Sequence, residues 1–159
     1  VSTQARAGQR PAPRNLPPNP CTAQRMHHVG IAVKSLEEAV ARYRGLFGAG
    51  EPVWHESKER SIKAAVLNVG GTNIELLQPT GPQSPFTKFI ADHGEGLHHI
   101  CFAVQDVKKA RDYMQKQGAK LTNTEPVAGF NGHFVFTDPA STGGVRIELS
   151  QLYPDKTDT

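Results

Sequence analysis

The chain has 159 residues, enough for one domain with a buried core or for two fused modules of about half that size. Its formal net charge of +3 is gathered towards the N-terminus, which argues against a nucleic-acid surface on the rest of the chain. No apolar run reaches the roughly 18 residues of a membrane span, and two cysteines, Cys21 and Cys101, are too few for a disulfide framework, so both are expected as free thiols in a reducing compartment.

Residues 1–25 are expected to be a Pro- and Arg-rich arm. They hold Pro11, Pro13, Pro17, Pro18 and Pro20 with Arg6, Arg10, Arg14 and Arg25, and the first acidic residue is Glu37. By composition this is a disordered linker. It has no apolar h-region, so it is not an intact secretory signal, and Val1 in place of Met points to a processed or truncated chain. An acid-free, Arg-bearing start is similar to the surroundings of a mitochondrial presequence cleavage site. The mitochondrial matrix is therefore the expected location, with a bacterial cytoplasm as the alternative.

The folded part is expected over 26–153, with a polar tail at 154–159. It opens on a strand in which Val29, Ile31 and Val33 alternate with His28, Gly30 and Ala32. Ser35-Leu36-Glu37-Glu38 then reads as a capping box, and Leu36, Ala39, Val40, Tyr43 and Phe47 follow helical spacing up to Gly48 and Gly50. A strand through Ala64–Val69, a turn at Gly70-Gly71 and a strand at Asn73–Leu77 close the first module, about 26–80.

The second module, about 97–152, repeats this order. The His27-His28 pair recurs 71 residues later as His98-His99, followed by Ile100, Phe102 and Val104 in alternation with Cys101 and Ala103. Asp106 is a plausible N-cap, Val107, Ala110, Tyr113 and Met114 mark a buried helical face, and Gly118 stops the helix. Strands at Phe134–Thr137 and Val145–Leu149 follow, with turns at Asp138-Pro139 and Gly143-Gly144 between them. "NIELL" (Asn73–Leu77) and "RIELS" (Arg146–Ser150) end the two modules alike.

Each module thus carries one histidine on its first strand and one glutamate on its last. His28 and His99 share faces with Gly30, Ala32, Cys101 and Ala103, whose small side chains leave room beside each imidazole. Glu75 and Glu148 sit among apolar neighbours, where an ionised carboxylate needs a partner. Two imidazoles and two carboxylates suit a divalent metal such as Co, Ni, Mn, Fe or Zn. His27 and His98 are expected on the opposite strand face, in structural or supporting roles.

These residues resemble the vicinal oxygen chelate (glyoxalase/bleomycin resistance/dioxygenase) superfamily, and within it the methylmalonyl-CoA epimerase family. The resemblance rests on "HHVGIAV", "NVGGTNIELLQP" with Ser84-Pro85 and Phe89, "GLHHICFAV", Gly129 and Gly132 in "GFNGH", and "GGVRIEL". It implies an α+β fold of two βαβββ modules pairing into a cup-shaped mixed sheet. It also implies metal ligands His28, Glu75, His99 and Glu148, with Glu148 doubling as an acid–base residue. A second base of bacterial relatives falls at Ala64, so Glu59, the nearest upstream carboxylate, is the candidate replacement.

The implied reaction is metal-assisted epimerisation of an acyl-CoA thioester by removal and return of a C2 proton. The alternatives are a glyoxalase I-like isomerase, an Fe(II) dioxygenase using His28, His99 and Glu148 alone, and a catalytically inactive subunit docked in a larger complex through the 1–25 arm. A homodimer is the simpler expected assembly.

Overall fold

The computed structural model describes residue 19 and residues 21–155. Most of the expected arm, residues 1–18 and 20, and residues 156–159 of the tail lie outside the described residues. The first half runs β1 (Arg25–Ala32), α1 (Leu36–Phe47), β2 (Val53–Ser57), β3 (Ile62–Val69) and β4 (Thr72–Pro79). Helix α2 (Pro85–His93) links it to β5 (Gly96–Ala103), α3 (Val107–Lys116), β6 (Val127–Ala128), β7 (Gly132–Phe136) and β8 (Ile147–Leu152), with a short 3-10 turn at Pro139–Ser141.

The fold is the expected α+β arrangement of two βαβββ units. All eight strands join one sheet in the order β2-β3-β4-β1-β5-β8-β7-β6. Within each unit the first and last strands pair in parallel, β1 with β4 and β5 with β8. The antiparallel pair β1–β5 joins the units, so the two histidine strands lie side by side at the centre.

Local signals explain the helices. The Ser35 side chain accepts a hydrogen bond from the Glu38 N–H, and Gly48 takes a left-handed conformation (φ 64°) that lets its N–H close the last turn of α1. Asp106 caps α3 by accepting from the N–H groups of Lys108 and Lys109. Helix α2 lies in a stretch to which the sequence pattern assigns no element, although Ser84 caps it and Pro85 occupies its first turn.

Each of α1 and α3 covers the convex face of its own unit. Leu36, Ala39 and Val40 pack with Ala65, Leu67 and Leu76, and Val107 and Ala110 pack with Val104, Val135 and Leu149. Phe47 departs from the expectation: it is 59% exposed and rests edge-on against Tyr43, because α1 ends there beyond the edge of the core. Helix α2 contributes Phe86 to a third cluster with Ala32, Ile62, Ala64 and Leu77, and so closes one side of the concave face. Cys21 and Cys101 are free thiols. The Cys21 thiol donates to the Ala110 carbonyl and packs on the α3 cluster, which ties the start of the described chain to the second unit.

Candidate metal centre

Strand register brings the four expected residues together. His28 on β1 is paired with Cys101 on β5, and Gly30 on β1 with His99 on β5. Glu75 of β4 lies beside Gly30, and Glu148 of β8 lies beside Cys101. Two rows thus cross the sheet centre, one Glu75–Gly30–His99 and the other His28–Cys101–Glu148. In each row a small residue lets the neighbouring imidazole lie flat over the sheet. At Gly30 the space is fully used, since a Cβ there would overlap the His99 ring.

The ligand atoms converge. His28 Nε2 is 3.0 Å from His99 Nε2 and 3.3 Å from Glu75 Oε2. His99 Nε2 is 3.2 Å from Glu148 Oε2 and 4.0 Å from Glu75 Oε2. Two donors each about 2.1 Å from one ion are about 3.0 Å apart at right angles and about 4.2 Å apart when opposed. These four separations fall in that span, so each of these pairs fits a single divalent ion, although Glu75, measured against both histidines, stands outside the compact group of the other three. His28, His99 and Glu148 also form a compact group whose ligand atoms all lie within 4.8 Å of one another.

Burial sets the charge states. It pushes His28 down to about 4 and His98 down to about 3, and holds His99 well below the ordinary histidine range. The imidazoles are therefore neutral, with a lone pair available for a cation. Burial raises Glu75 to about 7, against the opposing charges of Arg60, His55 and His27. It raises Glu148 to about 8, helped by the negative charge of Glu75. Two carboxylates in a dry pocket beside two neutral imidazoles leave a concentration of electron pairs that a divalent cation satisfies.

The flanking histidines correct the expectation of opposite faces. Pairing skips from Met26↔Phe102 to His28↔Cys101, and from Gly30↔His99 to Ile31↔Leu97. His27 and His98 are the extra residues of these two irregularities, and a bulge breaks the period-two alternation. As a result each lies on the site side: His27 Nδ1 is 2.8 Å from His28 Nδ1, and His98 Nδ1 is 2.9 Å from His99 Nδ1. This contact is the geometry that a supporting role would use. Where the inner imidazole donates from Nδ1 to its outer neighbour, its Nε2 faces the cluster with the lone pair free. His98 is itself held edge-on by Phe86, Phe89 and Phe136.

A cavity of about 510 Å³ opens over the cluster. Glu59 reaches its lining from the β2–β3 turn as an exposed side chain. Ala64 does face the concave side, but it is fully buried against the α2 cluster and carries no acid. Sequence reasoning missed Arg60 and Arg146, which also line the cavity. For Arg146 a signal existed, since it stands two residues before Glu148 and so shares its strand face. Arg60 belongs to a turn and had none.

The pattern of the glyoxalase/bleomycin resistance protein/dioxygenase superfamily matches residues 27–137, and the chain belongs to that superfamily. It is 36% identical over 131 residues to the ethylmalonyl-CoA/methylmalonyl-CoA epimerase of Cereibacter sphaeroides, covering 80% of this chain and 98% of that protein. It is 34% identical over 131 residues to the mitochondrial methylmalonyl-CoA epimerase of Bos taurus, covering 80% of this chain and 74% of that protein. The solved structure of a methylmalonyl-CoA epimerase in complex with methylmalonyl-CoA and ammonium matches with a TM-score of 0.76 at 27% identity, over 85% of this chain and 99% of that one. These relatives are bacterial and mitochondrial, and do not choose between the two expected locations. No helix among the described residues is long and apolar enough to cross a membrane.

Proposed function

We propose that the protein is an isomerase that interconverts the C2 epimers of methylmalonyl-CoA. The observation that carries this reading is the convergence of His28, Glu75, His99 and Glu148 at the base of a cavity large enough for an acyl thioester. The similarity to epimerases over most of the chain supports the substrate.

The C2 proton lies next to a thioester carbonyl, and its removal builds negative charge on that oxygen. A divalent ion held by His28, Glu75, His99 and Glu148 would supply Lewis-acid stabilisation of that charge. Glu148 is the candidate base. A bound cation would oppose the upward push of burial and hold its carboxylate ionised, ready to take the C2 proton and to give it back. The Cys101 thiol, 3.5 Å from Glu148 Oε1, restricts the carboxylate's orientation. Epimerisation also needs a proton on the opposite face of the planar enolate. Ala64 cannot supply it, and Glu59 at the cavity rim is the carboxylate we assign to that task. Apolar walls such as Ile62, Leu77 and Phe136 keep bulk water from quenching the enolate at random.

The test is direct. Metal-loaded protein is given one epimer of methylmalonyl-CoA, and the other epimer is followed by a stereospecific coupled assay. Accumulation of the second epimer supports the reading, and its absence in a metal-replete sample contradicts it.

A further inference from the structure

The histidine pair of β1 and a cysteine of β5 form a second group of ligand-type side chains beside the first. Ligand atoms of His27, His28 and Cys101 all lie within 4.8 Å of one another, and all three residues are buried. Register explains the meeting. His28 is the cross-strand partner of Cys101, and the irregularity between Met26 and His28 turns His27 to the same side. Cys101 Sγ also lies 3.5 Å from Glu148 Oε1, so the sulphur borders the first cluster as well.

The repeat makes this group informative. The equivalent of Cys101 in the first unit is Gly30, opposite His99, where the His99 ring fills the space. The His98-His99 pair thus faces a residue without a donor, whereas the His27-His28 pair faces a thiol. The donor chemistry also differs from that of the four-residue set. Two imidazoles and a thiolate are ligands of Zn(II) and Cd(II), while Mn(II) and Mg(II) prefer oxygen and bind sulphur weakly. A nitrogen about 2.1 Å and a sulphur about 2.3 Å from one ion are about 3.6 Å apart at the tetrahedral angle and about 4.4 Å apart when opposed. A group already gathered within 4.8 Å closes on an ion by small side-chain rotations.

We propose that His27, His28 and Cys101 give the centre a second, thiophilic binding mode, which takes a soft divalent ion and excludes a harder ion from the four-residue set. The inference rests on the metal-centre reading and is independent of the proposed reaction. The two modes compete because both use His28. A neutral imidazole has one lone-pair nitrogen and one N–H, so it serves one ion at a time. On binding, the Cys101 S–H bond breaks, its electron pair goes with the sulphur to the ion, and the proton leaves to the buffer. Soft ions therefore occupy the centre at the expense of harder ones.

The experiment titrates the metal-stripped full chain with Cd(II), with Mn(II), and with Cd(II) after Mn(II) loading. Cd(II) should produce an ultraviolet thiolate-to-metal charge-transfer band and should release bound Mn(II), seen as the return of the free-ion paramagnetic resonance signal. Cys101→Ser should abolish the band and weaken Cd(II) binding about tenfold or more. His27→Asn, which keeps an acceptor near the Nδ1 position, serves where Cys101→Ser does not fold, and should weaken Cd(II) more than Mn(II). Cd(II) bound without the band, or a band that survives Cys101→Ser and so belongs to Cys21, would overturn the proposal. So would Cd(II) and Mn(II) bound together, or equal weakening of both ions in His27→Asn. Competition between the ions in a protein that never exchanges the C2 proton keeps the thiophilic mode and loses the proposed reaction. Exchange at C2 in a protein whose bound Cd(II) gives no band keeps the reaction and loses the mode.

Discussion

Gly30 lies directly across the β1–β5 pair from His99, and the His99 imidazole occupies the volume that a side chain at residue 30 would fill. The clash is with the ring itself, which is fully enclosed, so His99 cannot step aside cheaply. Gly30→Ala should therefore displace His99, destabilise the fold by about 1–3 kcal/mol, and lower metal affinity. Thermal unfolding together with metal analysis checks this, and unchanged metal affinity in a folded variant would contradict the role of His99.

His99→Ala should strip most of the metal from the purified protein. Loss of one of four donors opens the cluster and leaves Glu148 without its 3.2 Å partner. Elemental analysis after dialysis against a metal-free buffer is the check, and full retention would mean that the ion is held elsewhere.

Glu148→Gln should damage turnover more than substrate binding. The amide keeps the shape but cannot accept the C2 proton, and general acid–base catalysis is worth about 10²–10⁴-fold in rate. Near-normal kcat in that variant would remove Glu148 from the role of base, whatever happens to the metal.

Metal uptake should strengthen as pH rises from about 6 to about 8.5. Glu75 and Glu148, raised to about 7 and about 8, are protonated at the acid end of that window, so an ion must displace their protons to bind. At the alkaline end both are ionised and no such cost remains. His28, lowered to about 4, is already neutral throughout and adds no slope there. Calorimetry in buffers of different ionisation enthalpy should show proton release near pH 6 that fades by about 8.5. A pH-independent affinity would show that the carboxylates are not ligands.

Glu59→Gln tests the second proton. With Glu59 as the opposing acid, this variant should exchange the C2 proton on one face while epimerising slowly, because exchange needs one proton source and epimerisation needs two. Fast epimerisation in Glu59→Gln would assign the second proton to water or another group. Ala64→Glu is a weaker rescue than the concave position suggests, since the site is fully buried against Leu77 and Phe86 and a new carboxylate there is costly.

The sequence made the paired units and the four converging residues legible because the duplication repeats them. His28 and His99, and Glu75 and Glu148, recur at matching places in each unit, and alternation then orients them. What failed was non-local. The bulges that turn His27 and His98 inward arise from how β1 pairs with β5, and neither strand alone carries a trace of that register. Helix α2 is one short amphipathic run with no counterpart in the repeat, so its cap Ser84-Pro85 has no second copy to reveal it. Phe47 kept the helical period of Leu36 and Tyr43 but ran past the end of the sheet that would have covered it. Arg60 belongs to a turn outside the repeat and Arg146 replaces the Asn73 of the first module, so only the folded cavity shows that they face the same space.

The central claim is that a metal-dependent proton transfer at C2 of an acyl thioester takes place in this cavity. The most direct measurement is the exchange of the C2 proton of methylmalonyl-CoA in deuterated water, followed by NMR, with the protein metal-loaded, metal-stripped and reconstituted. The account predicts exchange in the loaded protein, loss on stripping, recovery on reconstitution, and loss again in Glu148→Gln. Absence of exchange with about one metal ion bound per chain, or exchange that survives both stripping and Glu148→Gln, would contradict it.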